Sequence, residues 1–246
     1  MGDRMADIGR GAAIGAIAGA TLLLALALLV PRRSPDPAPT AEPEGRPAVE
    51  QPQPTMPQTG VEWPPGAAAW ITVGGTTIDA PVMPAPADDP EFYLSHDEYG
   101  NPNLLGSAYL DPETPAEGPV SFVFGHRAWG THAFTELADT HDQGSFDGLA
   151  QGSWEVPGRG RRAMAPVCAL RVDADDPQTL SRSWSGRDAA LLWARGLLAR
   201  SSARAKDADA LLDASSQVVT LVTCSDREEG GFHRTVLVMA VLPAAA

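Results

Sequence analysis

The sequence predicts a mostly-β domain, built as a barrel or a sandwich, that carries one long helix and follows an N-terminal apolar segment. Three observations lead to this prediction. From about residue 63 onward, short runs of β-branched and aromatic residues alternate with turn-forming residues. Within that region, 186–204 places apolar residues at helical spacing. The residues before 63 consist of an apolar run and a proline-rich segment, which lack the composition of a globular core.

The apolar run covers 11–30, a stretch of 20 uncharged residues. As a helix it would be about 30 Å long, which is one hydrocarbon thickness. We therefore predict a transmembrane helix at 11–30, with 1–10 as a cytoplasmic tail. A cleaved signal peptide is the alternative, but the run is longer than a usual signal core and lacks a small-x-small cleavage site. Basic residues lie on both sides of the run, so charge does not decide its orientation: Arg4, Arg10, Arg32 and Arg33.

The proline-rich segment, 31–62, has almost no large apolar residues. Eleven prolines occur between Pro31 and Pro65. Such a composition cannot bury enough surface to offset the entropy of ordering, and proline favours extended backbone. We therefore predict a disordered, extended stalk at 31–62, followed by one folded domain at 63–246.

The folded domain opens with a predicted hairpin, 70–73 and 76–79, because Gly74 and Gly75 supply the positive φ angles of a tight turn. The helix at 186–204 is expected to begin with a capping box formed by Ser185 and Asp188. Six further strands are predicted, at 107–111, 120–124, 153–156, 164–172, 218–223 and 235–242. The helix thus precedes the fifth of these strands.

Charge and cysteine usage narrow the function classes. The net charge is −13 and Lys206 is the single lysine among 18 basic residues, so we expect no nucleic-acid partner. No His, Cys and carboxylate cluster has metal-ligand spacing, and we expect no metal and no cofactor. The sequence leaves open a disulfide between Cys168 and Cys224. A buried, inert thiol at 168 and a reactive one at 224 is the simpler account.

Three chemically distinctive side chains stand at predicted strand ends. Cys224 closes the run 218–224, His126 closes 120–126, and Arg234 precedes 235–242. An amide is a poor electrophile, so acyl transfer from it needs a strong nucleophile, a proton donor for the leaving amine and stabilisation of the oxyanion. A thiol, an imidazole and a guanidinium can supply these functions. We therefore predict a cysteine acyl-transfer site.

The segment Thr220-Leu221-Val222-Thr223-Cys224, with Gly125-His126 upstream and Arg234 downstream, resembles the motifs of the sortases, membrane-anchored cysteine transpeptidases of bacterial surfaces. The stretches 89–97, 106–111 and 134–137, and the helix before the cysteine strand, are similar to the class B branch. The chain departs from the usual pattern at three positions near the family's peptide groove, which leaves the identity of the sorting signal open: Pro90, Arg127 and Val222.

The resemblance implies a closed β-barrel catalytic domain at 63–246, anchored in the cell membrane by a single span and facing the extracytoplasmic side. Cys224 would be the nucleophile, His126 the acid and base, and Arg234 the oxyanion ligand. The substrate would be the sorting signal of a secreted protein, and the acceptor an amine of a cell-wall precursor or a pilin lysine. Groove residues implied by the resemblance are Leu94, Val222 and Thr223.

Several alternatives accompany this interpretation. The domain could be a catalytically silent surface module that binds peptide or wall polymer. The stalk segment 56–60, Met-Pro-Gln-Thr-Gly, is similar to a sorting signal and could be an internal pseudosubstrate or a chance match. Arg227 competes with Arg234, which we prefer because it opens a strand. For the remaining histidines we expect His96 to be structural or groove-lining, His132 and His141 to be solvated, and His233 to lie near the site.

Overall fold

The computed structural model describes residues 62–179, 181–228 and 231–244, with the backbone alone at 226–228 and 231. The predicted tail at 1–10, the transmembrane helix at 11–30 and the signal-like segment 56–60 lie outside the described residues, as does the stalk apart from Glu62. Within the described ranges, no helix is both long and apolar enough to cross a membrane.

One sheet of nine strands organises the described domain. The strands are β1 (Ala69–Gly74), β2 (Asp79–Pro84), β3 (Ala108–Leu110), β4 (Val120–Phe124), β5 (Ala150–Val156), β6 (Gly160–Asp173), β7 (Ala203–Arg204), β8 (Gln217–Glu228) and β9 (Gly231–Val241). The α-helices are α1 (Gln143–Phe146), α2 (Arg187–Arg200) and α3 (Ala208–Ala214), and 3-10 turns cover Phe92–Leu94 and Thr135–Leu137.

The sheet closes into a barrel. Its strand order is β5-β1-β2-β3-β4-β8-β9-β6, and β6 pairs back with β5, so that eight strands form a ring to which the short β7 adds at β6. The β2–β3 and β4–β8 pairs are parallel, and the other pairs are antiparallel. The expected mostly-β closed barrel with a helical insertion before the cysteine strand is confirmed.

Two apolar clusters lie on opposite faces of the same strands. Alternate residues such as Leu221 and Leu237 belong to the cluster inside the barrel. Their neighbours Val222 and Val236 belong to a second cluster outside it, with α2 and α3, whose Leu197 is fully buried. Side chains alternate between the faces of a strand, so β4, β8 and β9 are covered on both faces, which explains their continuous apolar runs.

Two local predictions were wrong. The strand expected at 76–79 is a turn, and β2 begins at Asp79. Gly75 has φ +83°, and the Thr76 hydroxyl donates to the Val73 carbonyl, so the connection is wider than a two-residue turn. The capping box is also absent: Gly186, at φ +148°, is the N-cap of α2 and no side chain caps that end. Glycine reaches this backbone conformation without the strain a side chain would cause.

Candidate active site

The ends of three neighbouring strands meet at one edge of the barrel. β4 and β8 run parallel, with Phe124 opposite Val222, so their carboxyl ends lie at the same edge. β9 runs antiparallel to β8, and Arg234 stands directly opposite Cys224. The cysteine and the arginine, ten residues apart in sequence, are therefore register partners on adjacent strands.

The same register shows which face of the sheet carries this pair. Val222 and Val236 belong to the outer cluster that α2 covers. Cys224 and Arg234 lie two residues further along the same strands, and side chains two apart share a face. The pair therefore lies on the outer surface of the barrel, where the cluster beneath α2 ends.

His126 follows β4 at the same edge. The Gly125 amide donates to the Val222 carbonyl at 3.1 Å, so the ladder to β8 continues past the last residue of β4. Extending the β4–β8 register by two residues puts His126 level with Cys224, about 5 Å away between backbones. The His126 carbonyl accepts a hydrogen bond from the Phe134 amide at 3.0 Å, which closes the following loop onto the strand end. The fold thus gathers the three expected residues at one edge.

The three side chains are available to a substrate. Cys224 is exposed, and His126 and Arg234 are half-buried. Within the part of the chain that the structure describes, none of these side chains makes a hydrogen bond to another protein group. The Arg234 guanidinium lies 5.9 Å from the centre of the Phe124 ring. A cation over an aromatic face is held weakly and keeps its N–H donors for other partners.

Cys168 contrasts with Cys224 in every respect that bears on reactivity. It is fully buried in the outer cluster, and burial raises the pKa of its thiol to about 12. Both cysteines are free, so the disulfide that the sequence left open is not formed. The expectation of a buried thiol at 168 is confirmed. Because the thiolate is the nucleophilic form, Cys168 is unreactive near neutral pH.

Tyr109 is a neighbour of the site that the sequence analysis did not single out. It is 5% exposed, and its ring stacks on Phe124 with centres 5.6 Å apart. Burial raises the pKa of its phenol far above the usual range; among weaker influences, the charge of Arg234 lowers that pKa and a thiolate at Cys224 raises it. Tyr109 therefore remains a neutral O–H donor close to both residues. Its position on alternating strand 107–111 was the signal that could have identified it.

The segment between β6 and α2 is fixed against this face by a largely buried ion pair. Arg182 Nε donates to Asp111 Oδ2 at 2.7 Å, and both side chains are less than 15% exposed. The Arg182 guanidinium also lies 4.0 Å from the centre of the Phe122 ring. Trp184 stacks on the same ring, with centres 6.1 Å apart. These contacts extend an aromatic surface from Tyr109 and Phe124 towards α2.

The proposed groove residues differ in accessibility. Leu94 ends the 3-10 turn 92–94 and is half-buried. Val222 and Thr223 are 4% and 3% exposed. Val222 belongs to the outer cluster, and the Thr223 hydroxyl has no hydrogen-bond partner. Only Leu94 of the three therefore offers a side chain to a ligand in this conformation.

The remaining histidines occupy different environments. His96 stacks on Phe92, with ring centres 3.8 Å apart, as a structural residue would. His132 is half-buried, and its ring meets the exposed Trp129 edge to face. His141, expected to be solvated, is instead half-buried and hydrogen-bonded to Thr235 and Ala138, because the loop before α1 folds over the barrel end. His233 forms an ion pair with Asp173 at 3.2 Å.

Arg227 stands opposite Phe232 near the end of the β8–β9 hairpin, and its side chain lies outside the described part of the structure. A cavity of about 390 Å³ lies at the same barrel edge, on the far side of the loop that follows His126, and its lining includes Asp79, Tyr99 and Phe134. It does not include Cys224, whose surroundings are an open surface. No group of three or more His, Cys, Asp or Glu residues in the described ranges could hold a metal ion.

Gly125 is required by the close packing beneath His126. A Cβ at this position would lie 2.4 Å from Cγ of Phe134, a ring that is 1% exposed. We expect Gly125→Ala to destabilise the domain by about 1–3 kcal/mol, the usual cost of overpacking, and to displace His126. Chemical denaturation and peptide cleavage would measure both effects. Phe134→Leu should be less harmful in the Gly125→Ala background than in the parent; equal costs in both backgrounds would contradict this account.

Comparison with known proteins gives a clear result for the fold. No family model and no curated protein sequence matches this chain. Solved structures do. Sortase B of Clostridium perfringens superposes with a TM-score of 0.61 at 20% identity, covering 73% of this chain and 95% of that one. The sortase B–substrate complex of Staphylococcus aureus gives 0.59 at 17% identity, covering 73% and 81%.

A third similar structure is a class B sortase of Streptococcus pyogenes involved in pilus biogenesis, with a TM-score of 0.56 at 21% identity, covering 71% of this chain and 92% of that one. The described domain therefore has a sortase fold, most like class B. Identities at this level demonstrate the fold, and the chemistry has to be argued from the residues.

Proposed function

We propose that this chain is a cysteine transpeptidase of the sortase type, which cleaves a C-terminal sorting signal of secreted surface proteins and transfers the acyl part to an amine. The observation that carries the proposal is the convergence at one barrel edge of an exposed thiol, an imidazole and a guanidinium, none of them engaged by another protein group in the described ranges. The sortase fold supports it further.

In the proposed acylation step, the Cys224 thiolate attacks the carbonyl carbon of the scissile bond. The carbonyl oxygen becomes an oxyanion, and Arg234 stabilises it because its guanidinium stays charged and offers several donors. The C–N bond then breaks, and the imidazolium of His126 protonates the departing amine. The products are a thioester on Cys224, a free C-terminal fragment and neutral His126.

The thioester is resolved by a second nucleophile. Neutral His126 accepts a proton from the incoming amine, the amine nitrogen attacks the thioester carbon, and Cys224 leaves as a thiolate. An amide replaces the thioester, so the peptide bond count is conserved. Water in place of the amine would yield a hydrolysed product. Exposure of Cys224 at the open barrel edge gives an amine carried by a large acceptor access to the acyl group.

The proposed donor is a sorting-signal peptide, and the proposed acceptor is an amine of a cell-wall precursor or a pilin lysine. Among proteins of this fold, one sortase B is known in a substrate complex and another is complexed with triglycine. We propose that Leu94 contacts the peptide directly. The burial of Val222 and Thr223 limits them to shaping the groove through packing and backbone contacts.

We further propose that 11–30 anchors the protein in the cell membrane as a single span, with 31–62 as the stalk and the catalytic domain outside. The apolar run is long enough to span a bilayer. Secreted substrates and wall acceptors would require the domain to be extracytoplasmic. Protease digestion of intact cells, followed by detection of the domain, tests this orientation: a domain protected until the cells are opened would contradict it.

The chemistry is tested by incubating residues 62–246 with a library of Thr-Gly-containing peptides and analysing the protein by mass spectrometry. We expect an acyl adduct on Cys224 whose mass equals the peptide fragment ending in Thr, and its disappearance when triglycine is added. Cys168→Ala should form the same adduct. If no peptide acylates Cys224 while the folded protein binds peptides or wall polymer, the transpeptidase proposal fails in favour of a binding module.

A further inference from the structure

The inner face of the barrel, directly behind the Cys224–Arg234 pair, carries a second pair of register partners, Thr223 and Thr235. Both are buried, at 3% and 1% exposure. Adjacent residues of a strand point to opposite faces, so these threonines lie behind the reactive residues rather than beside them. Thr223 Oγ1 has no hydrogen-bond partner, whereas the Thr235 hydroxyl is fully engaged.

Thr235 is tied to the loop that closes this end of the barrel. Its hydroxyl donates a short hydrogen bond to the Ala138 carbonyl. Nδ1 of His141 lies 3.1 Å from the same carbonyl and 3.2 Å from Thr235 Oγ1. A carbonyl oxygen can only accept, so this contact assigns the proton to Nδ1, which then donates to both oxygens. Thr235, Ala138 and His141 thus form a closed hydrogen-bonded unit.

This unit rests on a rigid base. Ala138 is 1% exposed, and the neighbouring Leu137 belongs to the inner core. The His141 carbonyl in turn accepts a hydrogen bond from the Ser202 hydroxyl at 2.6 Å. The residue on the other side of Arg234 is anchored as well, because His233 contacts Asp173 at 3.2 Å and Arg171 at 3.1 Å. Arg234 therefore projects outward between two residues that are held on the inside.

We propose that Thr235, held by the Ala138 carbonyl and the His141 imidazole, is a positioning residue for Arg234. An arginine side chain has many rotamers, and its use as an oxyanion ligand depends on where its backbone is fixed. Displacement of such a group by about 1 Å can cost about 100-fold in rate. This inference rests on the proposed function, since it concerns the proposed oxyanion ligand of that reaction.

The first test compares Thr235→Val with Thr235→Ser. Valine keeps the shape and removes the hydroxyl, whereas serine keeps the hydroxyl. We expect Thr235→Val to lower kcat for peptide acylation about tenfold with KM within about twofold, because the interaction it removes matters in the transition state. Thr235→Ser should stay within about twofold of the parent. The rate of Cys224 alkylation by iodoacetamide should be unchanged in both, because the thiol is not involved.

A double-mutant cycle separates positioning of Arg234 from a general structural role. In the Arg234→Lys background, Thr235→Val should cost less than about twofold, since the group that it positions is already gone. An undiminished tenfold cost in that background would overturn the inference. If Thr235→Val does not fold, the half-buried His141 provides the test: His141→Ala should lower kcat, and His141→Asn should restore it, because its amide can donate from the Nδ1 position.

A readout that does not need turnover distinguishes this inference from the proposed function. The Nε–H signal of Arg234 in a ¹⁵N-labelled sample can be assigned by its loss in Arg234→Lys. We expect the signal to shift in Thr235→Val and not in Thr235→Ser. Should no peptide acylate Cys224, this shift would still support the positioning while the proposed function failed. An unchanged signal together with an unchanged kcat in Thr235→Val would overturn the positioning alone.

Discussion

Cys224→Ala should reduce cleavage of a sorting peptide by at least about 10⁴-fold while the domain remains folded. The reason is that the thioester cannot form without the sulfur, and the remaining groups stabilise only part of the transition state. Separation of the cleaved peptide by chromatography measures the loss, and circular dichroism checks the fold. Because Cys224 is exposed at the barrel edge, its truncation leaves no cavity in either core.

The other cysteine of the chain is the matched control. Cys168→Ala should keep the cleavage rate within about twofold and lower the free energy of unfolding by about 1–2 kcal/mol, because it removes a buried sulfur from the outer cluster. In the native protein, iodoacetamide should label Cys224 and leave Cys168 unmodified, since burial suppresses its thiolate. Cleavage that survives Cys224→Ala, or that depends on Cys168, would refute the proposed nucleophile.

Arg234→Gln should lower kcat about 10²–10³-fold with a smaller effect on KM, the range seen when an oxyanion donor is removed from an active site. Arg234→Lys should recover only part of the loss, because a single ammonium keeps the charge but not the fork of donors. Steady-state kinetics on the peptide that gives the Cys224 adduct would measure both. The effect should be similar at different peptide lengths, since the interaction is with the reacting carbonyl.

Arg227 serves as the control for Arg234, because it is nearer to Cys224 in sequence and competes for the same role. We expect Arg227→Gln to change kcat by less than about threefold. The register favours Arg234, which stands opposite Cys224, whereas Arg227 stands opposite Phe232 further along the hairpin. A loss in Arg227→Gln that exceeds the loss in Arg234→Gln would reverse the assignment.

Local patterns were sufficient for most of the strands. The predicted strand 120–124 matches β4 residue for residue, and 164–172 and 235–242 lie almost wholly within β6 and β9. These strands are buried on both faces, so their apolar runs are long and unambiguous. The first hairpin was mispredicted because Gly74-Gly75 is compatible with several turn lengths, and the choice depended on the Thr76 hydroxyl bond to Val73.

The position of each candidate catalytic residue at a strand end could likewise be read from the chain. What could not be read was which strands are neighbours. The β4–β8 pairing joins residues about 100 positions apart, and it is this pairing that puts His126 level with Cys224. Short-range periodicity contains no term for such contacts, because they form only when the barrel closes and buries both faces of the sheet.

The sequence by itself determined the types of chemical group, the strands that carry them and the separate character of the first 62 residues, because these depend on composition and on spacing along the chain. The tertiary structure decided which groups meet and which are engaged. It gave the two cysteines opposite environments, brought Tyr109 to the site and turned His141, expected in solvent, into an anchor behind the strand that carries Arg234. Burial and hydrogen bonding across distant strands, which no local pattern encodes, are the physical reason.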